Sequence, residues 1–251
     1  MLDGIDHVVI AVDDLDAAAA TLERAVGLAC TGGGRHEGLG TANRIAFLAD
    51  GSYVELMGVE DAQAARTGPI GTATLDTVEH GDGLAAYALN DDELPITVDA
   101  LRASGSSIGP VTPGARLRPD GELVRWWTAI PEPLGINGLP FLIRHARYGG
   151  EWGPRAVAAR AAIPHPAGGP VRLLRLDLSV PDPQALAALH FRQLGLEYTQ
   201  IGPGAVCPVG RHVIRLLSAG AAAPAASVYL SATGEPLSVG ALGVRWVVGR
   251  G

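Results

Sequence analysis

The most informative segment of the chain is Gly4-Ile5-Asp6-His7-Val8-Val9-Ile10-Ala11-Val12, followed at once by Asp13-Asp14-Leu15 and an alanine-rich stretch that ends at Gly27. The first part is rich in β-branched and apolar residues, as a buried strand is. Aspartate at the next position can accept hydrogen bonds from the free N–H groups at a helix start. Glycine takes the left-handed conformation that ends many helices. The segment therefore predicts a strand followed by a helix.

The same pattern occurs twice more along the chain. The apolar run 84–89 is followed by Asn90 and reaches Gly105, and the run 173–180 is followed by Asp182 and reaches Gly195. Further strand-like runs come after each predicted helix: 44–48 and 53–59, then 123–130 and 139–143, then 212–217, 227–231 and 244–248. The pattern predicts three β-α-β-β-β units over 1–60, 82–147 and 170–251. The Gly-, Ala- and Pro-rich segments 61–81 and 148–169 are interpreted as linkers.

Composition narrows the function classes. Hydrophobic residues make up 47% of the 251 residues and charged residues 18%, which is typical of a globular protein. No apolar run reaches the roughly 18–20 residues that span a bilayer, and the acidic start of the chain is unlike a signal peptide. We therefore expect a cytoplasmic protein with no membrane partner. The net charge of −7 disfavours nucleic acid. The sequence has no lysine, which excludes Schiff-base catalysis.

Three stretches carry a resemblance to a known family. They are 33–43 (Gly-Gly-Arg-His-Glu-Gly-Leu-Gly-Thr-Ala-Asn), 51–56 (Gly-Ser-Tyr-Val-Glu-Leu) and 116–121 (Arg-Leu-Arg-Pro-Asp-Gly), the last leading to Arg125-Trp126. With the opening strand and helix, they resemble the glyoxalase-like domain proteins of the vicinal-oxygen-chelate superfamily. The resemblance implies an α+β fold, in which repeated βαβββ units form a curved, mostly antiparallel half-barrel with helices outside. Residues 1–147 would form the paired domain, 148–169 a linker, and 170–251 a third unit.

The resemblance also implies a metal site, which this chain matches only in part. In the family, a His on the first strand and a Glu on the last strand of each unit hold a divalent ion, and in the first unit these positions match His7 and Glu55. In the second unit, Leu84 stands at the position of His7, and the match to Glu55 falls on Ile143 or Arg144. His36 or His145 could complete the ligand set. The expected cofactor is therefore a divalent metal or none, with weak or absent binding.

Several polar residues are candidates for the site. Glu55 lies in an apolar run, where a buried carboxylate is normally paired, metal-bound or protonated; an ion pair with Arg144 is the structural alternative. His36 and Asn43 flank a glycine-rich stretch whose backbone can approach a ligand, or which forms an ordinary turn. We predict Glu55, His7 and His36 as catalytic residues and Asn43 as a substrate-binding residue.

A cationic and aromatic cluster gives the remaining candidates. Arginine suits bidentate recognition of carboxylate or phosphate, and the cluster contains Arg118, Arg125, Trp126 and Trp127 together with Arg116. Strand alternation would place Arg125 and Trp127 on one face and Trp126 on the other. We predict Arg118, Arg125, Trp126 and Trp127 as substrate-binding residues. The alternative is a solvated charged loop with the tryptophans in the core.

Two functions follow from these candidates. The first is an enzyme that acts on a small carbonyl-bearing or oxygen-rich molecule, with isomerase or lyase chemistry through proton abstraction or oxyanion stabilisation. The second is a non-catalytic binder of small molecules, of the antibiotic-sequestering kind, which the missing ligands of the second unit favour. Both functions predict a small-molecule ligand and a monomer or homodimer.

Overall fold

The computed structural model describes residues 2–220 and 223–250. The strands are β1 (Gly4–Ala11), β2 (Gly32–His36), β3 (Thr41–Phe47), β4 (Tyr53–Val59), β5 (Gly83–Asn90), β6 (Thr112–Leu117), β7 (Leu123–Ala129), β8 (Phe141–His145), β9 (Arg172–Val180), β10 (Thr199–Ile201), β11 (Gly204–Val209), β12 (His212–Ser218), β13 (Ala226–Ala232), β14 (Leu237–Ala241) and β15 (Val244–Arg250). The helices are α1 (Leu15–Thr21), which continues as a π-helical turn (Leu22–Val26), α2 (Ala62–Ala65), α3 (Pro69–Val78), α4 (Leu94–Ala103), α5 (Gly149–Trp152), α6 (Pro154–Ala159), which continues as a 3₁₀ turn (Arg160–Ala162), and α7 (Pro183–Leu194).

The first eight strands close into a barrel in the order β1-β4-β3-β2-β6-β7-β8-β5. Each unit contributes four neighbouring strands, and β1 pairs antiparallel with β5 at the junction between units. The α+β class and the βαβββ units are confirmed. The sheet closes further than the expected half-barrel, because β2 also pairs with β6 on the opposite side, with Arg35 beside Leu117 and His36 beside Arg116.

Local sequence signals explain where the helices begin and end. The Asp14 side chain accepts hydrogen bonds from the first turn of α1, and Gly27 ends that helix with φ of 80°. The Asp182 side chain caps α7 in the same way, and Gly195 ends it with φ of 68°. In the second unit, α4 starts only at Leu94, with proline in its first turn. These aspartate and glycine positions are the ones that the repeat predicted.

The second sheet repeats the order of the first without closing. Its order is β10-β11-β12-β9-β13-β15-β14, so β9, α7 and β10–β12 make one βαβββ unit. The next strand, β13, pairs antiparallel with β9 as β5 does with β1. Residues 170–251 were expected to hold a single unit, but they hold this unit and three further strands. The expectation was wrong because β10 has only three residues and β11 contains glycine and proline, so neither shows the alternation that marks a strand; without them, β12, β13 and β15 fill the places of the three strands of one unit.

Both segments interpreted as linkers contain helices, which is a second correction. Segment 61–81 contains α2 and α3, and segment 148–169 contains α5 and α6. Their Gly, Ala and Pro content hid them, although Pro69 and Pro154 stand in the first turn of their helices, where proline is well tolerated. Both segments pack over the barrel and line its cavity.

Buried histidines join the two halves of the protein. His212 Nδ1 accepts a hydrogen bond from the backbone N–H of Ile5 (2.9 Å), and its Nε2 donates to Asp50 (2.8 Å). His190 Nε2 donates to the carbonyl oxygen of Gly138 (2.8 Å). These histidines therefore have structural roles. Within the described ranges, no helix has both the length and the apolar character that crossing a membrane requires.

Candidate functional site

The barrel encloses a cavity of about 220 Å³. Its walls are largely apolar, and α2, α3 and the turn between them lie across it. The apolar lining includes Ile45, Met57, Ile70, Val124, Trp126, Ile130, Phe141 and Ile143. The polar groups gather mainly on the wall formed by the first unit. An apolar cavity with a few converging polar groups is typical of a small-molecule site.

Glu55 is the centre of the polar wall. It projects from β4 into the cavity and is buried. The side-chain amide of Asn43 donates a hydrogen bond to its Oε1 (2.5 Å), and His7 Nε2 lies 3.3 Å from its Oε2. Strand pairing brings these groups together, because β4 lies between β1 and β3 in the barrel. The ion pair with Arg144, the alternative considered for Glu55, is not formed: Arg144 is exposed and lies over the Trp127 ring.

His7 is held from both sides of its ring. Its Nδ1 donates a hydrogen bond to Asp6 Oδ1 (2.7 Å), and this leaves Nε2 directed at Glu55. The ring stacks on Tyr53, with the centroids 4.3 Å apart. Asp6 Oδ1 also accepts a hydrogen bond from His145 Nε2 (3.0 Å). The orientation of the imidazole is therefore defined by a neighbouring carboxylate and an aromatic ring.

His36 and Asn43 form a second chain of hydrogen bonds that ends on Glu55. His36 Nδ1 donates to Thr41 Oγ1 (2.8 Å), and His36 Nε2 accepts from the Asn43 amide nitrogen (3.2 Å). The backbone N–H of Gly34 donates to Asn43 Oδ1 (2.9 Å), which sets the orientation of the amide. In this arrangement His36 is neutral and acts on Glu55 mainly through Asn43.

The pKa values of these groups follow from their contacts. Burial alone would raise the pKa of Glu55, but the hydrogen bond and charge of His7 and the hydrogen bond of Asn43 lower it to about 2. Burial alone would lower the pKa of His7, but its bonds to Asp6 and Glu55 and their charges raise it to about 9. Both shifts describe one buried ion pair. Burial lowers the pKa of His36, which agrees with a neutral ring.

An arginine and a glutamate form a second buried pair at the cavity wall. Arg116 on β6 and Glu151 on α5 both line the cavity and are joined by a short hydrogen bond from Arg116 Nη2 to Glu151 Oε1. Next to Glu151, the ring of Trp152 stacks on that of His145 at 3.5 Å. The guanidinium of Arg160 packs over Trp152. Segment 149–162, called the strap below, thus contributes side chains to the site.

The predicted site residues divide into two groups by position. His7, His36, Asn43, Glu55 and Trp126 all line the cavity. The others lie elsewhere: Arg118 is on the outer side of the strap beside Glu122, Arg125 is exposed, and Trp127 packs on the main core. Alternation on β7 separates Trp126 from its two neighbours, as strand geometry requires.

Sequence reasoning did not select several residues that line the cavity wall or support it from behind. Asp6 and Thr41 hold the two histidines, and their signal was only their closeness in sequence to His7 and Asn43. Arg116 was noted in the cationic cluster without being selected. Glu151 and Trp152 lie in a segment interpreted as a linker, and no local pattern marks them as cavity residues.

The donor set at His7 and Glu55 does not fit a resident metal ion. In residues 2–220 and 223–250, no group of three or more His, Cys, Asp or Glu side chains is arranged to hold one. Both Glu55 oxygens face partners, Asn43 and His7. Of the β8 side chains that line the cavity, Phe141 and Ile143 cannot bind a cation, and His145 Nε2 donates a hydrogen bond to Asp6.

Two tandem βαβββ units closed into a barrel, with His and Glu on the first and last strands of one unit, define the vicinal-oxygen-chelate class. A family model described as a glyoxalase-like domain matches residues 5–194, and the chain belongs to this family. The resemblance drawn from the sequence is confirmed. A search of curated proteins by sequence found no match.

Solved structures share the fold. A hypothetical protein from Staphylococcus aureus is 13% identical and superposes with a TM-score of 0.79, covering 98% of each chain. A mutant of 4-hydroxymandelate synthase from Streptomyces coelicolor is 13% identical, with a TM-score of 0.50 over 92% of this chain and 71% of that one. Methylmalonyl-CoA epimerase from Mycobacterium tuberculosis is 21% identical, with a TM-score of 0.41 over 57% of this chain and 87% of that one. At these identities the similarities to the first two structures concern the fold alone, and the epimerase, at a TM-score of 0.41, is a partial match.

Proposed function

We propose that the protein is an enzyme that moves a proton beside a carbonyl group of a small organic molecule bound in the barrel cavity. The reaction would be an isomerisation or an elimination. The observation that carries the proposal is the buried, ionised Glu55, which faces an apolar cavity and is oriented by His7 and Asn43. Burial of a carboxylate is unfavourable unless partners compensate it; His7 and Asn43 do so here and keep Glu55 ionised at the cavity, where it can accept a proton from a bound molecule.

Glu55 and His7 have different roles in the proposed reaction. Glu55 takes a proton from the carbon next to the carbonyl, and the electron pair of that C–H bond moves toward the carbonyl oxygen. Because the pKa of Glu55 is about 2, it is a weak base, and the developing oxyanion needs a strong donor nearby. His7, charged and 3.3 Å from the same carboxylate, supplies that N–H. In an isomerisation Glu55 then returns the proton to the substrate carbon skeleton. In an elimination the enolate electron pair forms a C=C bond as the group on the neighbouring carbon leaves, and Glu55 gives its proton to that departing group.

Asn43 and His36 act through Glu55 in this scheme. The Asn43 amide holds the carboxylate in one orientation, and His36 holds the amide. Such support keeps the reacting group in a productive geometry. Tyr53 and Asp6 support His7 in the same way.

A second candidate is a protein that binds its ligand without converting it. The wall contributed by the second unit favours this reading, because Phe141 and Ile143 of β8 present apolar side chains to the cavity, whereas the first unit presents His7 and Glu55. The same cavity would then sequester a largely apolar molecule with one polar end. The experiment below separates the two candidates.

The test begins with a thermal-shift screen of carbonyl and hydroxy-acid metabolites, since a ligand that binds only the native state raises the melting temperature. Each ligand found is incubated in D₂O with the wild type, with Glu55→Gln and with Glu60→Gln, and deuterium incorporation and turnover are followed by NMR. Glu60, paired with Arg35 outside the cavity, is the matched control. Glu55→Gln should lower the exchange rate by about 10²–10⁴, the usual effect of losing a general base.

The two candidates give opposite results. Exchange by the wild type and the Glu60 variant, with little by Glu55→Gln, supports the enzyme. Bound ligand that none of the three proteins exchanges or converts supports the binder. Exchange by Glu55→Gln at the wild-type rate contradicts the base assigned here.

A further inference from the structure

The Arg116–Glu151 pair lies apart from the proton-moving cluster but on the same cavity wall. The two residues are 2% and 6% exposed, and both line the cavity. Arg116 stands directly opposite His36 where β6 pairs with β2. Directly paired residues project from the same face of a sheet, so the guanidinium lies beside the chain of hydrogen bonds that leads from His36 to Glu55.

The backbone of β2 holds Arg116 in place independently of Glu151. Arg116 Nη1 donates a hydrogen bond to the carbonyl oxygen of Gly33 (2.6 Å). The next residue, Gly34, lets β2 and β6 lie close together because it lacks a side chain, since a Cβ there would lie 2.4 Å from the carbonyl oxygen of Leu117 and 3.3 Å from Arg116 Nη1. Arg116 would therefore keep its position if Glu151 moved.

The strap is likewise held without the help of the Glu151 carboxylate. Arg160 Nη1 donates to the carbonyl oxygen of Gly51 (2.8 Å), and Gly150 N–H donates to the Glu122 side chain (2.9 Å). A second arginine, Arg118, has its Nε 3.8 Å from Glu151 Oε2 and is more exposed than Arg116. The Glu151 carboxylate thus lies between an arginine inside the cavity and another nearer solvent.

We propose that Arg116 is a carboxylate-binding subsite of the cavity and that Glu151 is its internal counter-ion, which the carboxylate of a ligand replaces. A buried guanidinium without a partner is strongly unfavourable, so the strap supplies a carboxylate when no ligand is present. A ligand carboxylate matches the same planar, bidentate donor, and Glu151 moves toward Arg118. The inference rests on the proposed function in that it treats the cavity as the ligand site. It identifies the ligand class as small carboxylic acids, whose carbon skeleton extends from Arg116 toward His36 and Glu55.

The experiment replaces Glu151 by a free carboxylate. Glu151→Ala removes the side chain beyond Cβ, and acetate has the size of the missing fragment. Thermal midpoints are measured in rising sodium acetate, in acetamide as the neutral equivalent, and in sodium chloride at the same ionic strength. The control is the double variant R116M/E151A, which has the same space but no guanidinium. Acetate alone should raise the midpoint of E151A, with an apparent affinity at least about tenfold above that for the wild type, as a hydrogen bond to a charged group implies.

Each outcome bears on the proposal. An acetate effect in E151A that is absent from R116M/E151A supports it. Equal responses of the two variants, or of acetate and chloride, overturn it. If E151A does not fold, E151Q is used in its place, because it keeps the side-chain volume and removes the negative charge. Acetate should then bind E151Q about tenfold more tightly than it binds the wild type. Equal affinities overturn the proposal. The readout here is stability and not turnover. Failure of the Glu55→Gln test therefore does not overturn the Arg116 proposal, and failure of the acetate test does not overturn the proposed proton transfer.

Discussion

His7 links the stability of the protein to pH. Its ring is buried between Asp6 and Glu55, at 2.7 and 3.3 Å, and these contacts raise its pKa from 6.5 to about 9. The folded protein therefore holds the proton more tightly than the unfolded chain does. Replacing His7 by Gln removes the titrating group and retains a side-chain amide of similar reach.

The size and direction of the effect follow from the shift. A difference of 2.5 pKa units between 6.5 and 9 corresponds to about 3 kcal/mol in the free energy of unfolding. Since the folded pKa is the higher one, this stability is fully present below about pH 6.5 and is lost as the pH rises through about 9. The lowered pKa of Glu55 describes the same ion pair from the other side and is not added. Its own contribution would disappear in acid, as the pH falls toward 2.

The assay is urea unfolding followed by tryptophan fluorescence, at several values between about pH 6 and pH 10. The wild type and His7→Gln should differ most at the acid end of this range, and the difference should shrink by about 3 kcal/mol toward the alkaline end. His190→Gln is the control. Burial lowers the pKa of His190, so the titration of His190 affects stability only in acid. Above about pH 7, the unfolding free energy of His190→Gln should therefore change with pH in parallel with that of the wild type.

One result would refute the reasoning. If the unfolding free energies of the wild type and His7→Gln change in parallel between pH 6.5 and 9.5, His7 does not carry a raised pKa. The Asp6–His7–Glu55 arrangement would then be held by neutral hydrogen bonds, and the oxyanion donor proposed for the reaction would lose its charge.

Three further predictions concern the metal, a helix end and the junction of the halves. Elemental analysis of protein purified without chelator or added metal should find less than one divalent ion per chain, and a stoichiometric ion lost on replacing His7 would contradict the donor-set argument. Gly27→Ala should lower stability by at least about 1 kcal/mol, because φ is +80° there and a Cβ would lie 2.6 Å from the backbone nitrogen of Ala167; an unchanged urea midpoint would refute this. His212→Ala should lower the free energy of unfolding by about 1–3 kcal/mol, because it leaves the buried N–H of Ile5 without its acceptor. His80→Ala, at an exposed position, should lower it far less. Equal losses would contradict the role of His212 in joining the two halves of the protein.

The repeating strand and helix pattern could be predicted because its signals are local. Asp14 and Asp182 cap helices, and Gly27 and Gly195 end them, through contacts within a few residues along the chain. Strands that contain several glycines or a proline were harder to find. β2 begins with three glycines, and β11 contains a proline, so neither shows the alternation that a strand on a solvated sheet displays. Their place in the sheets depends on neighbours far away in the sequence.

Part of the candidate site could also be predicted from the sequence, and part could not. The residue types and the family resemblance marked His7, His36, Asn43 and Glu55, and these side chains do meet in one cavity. Alternation along β7 also separated Trp126 from Arg125. The placement of Arg118 could not be foreseen, because Glu151 of the strap, which lies beside it, comes some thirty residues later in a segment with few large apolar side chains.

The amino-acid sequence was sufficient for the family, the α+β class and the residues of the first unit, because capping, strand patterning and a local motif act over short distances. Only the tertiary structure closed the barrel through β2 and β6 and brought Glu151 of the strap to Arg116. The physical reason is that these contacts are long-range, between residues 35 or more positions apart, where loop closure and packing of the whole chain determine which side chains meet. A buried charge pair of this kind leaves no periodic trace in the sequence, since each partner is stabilised by the other and by no pattern of its own.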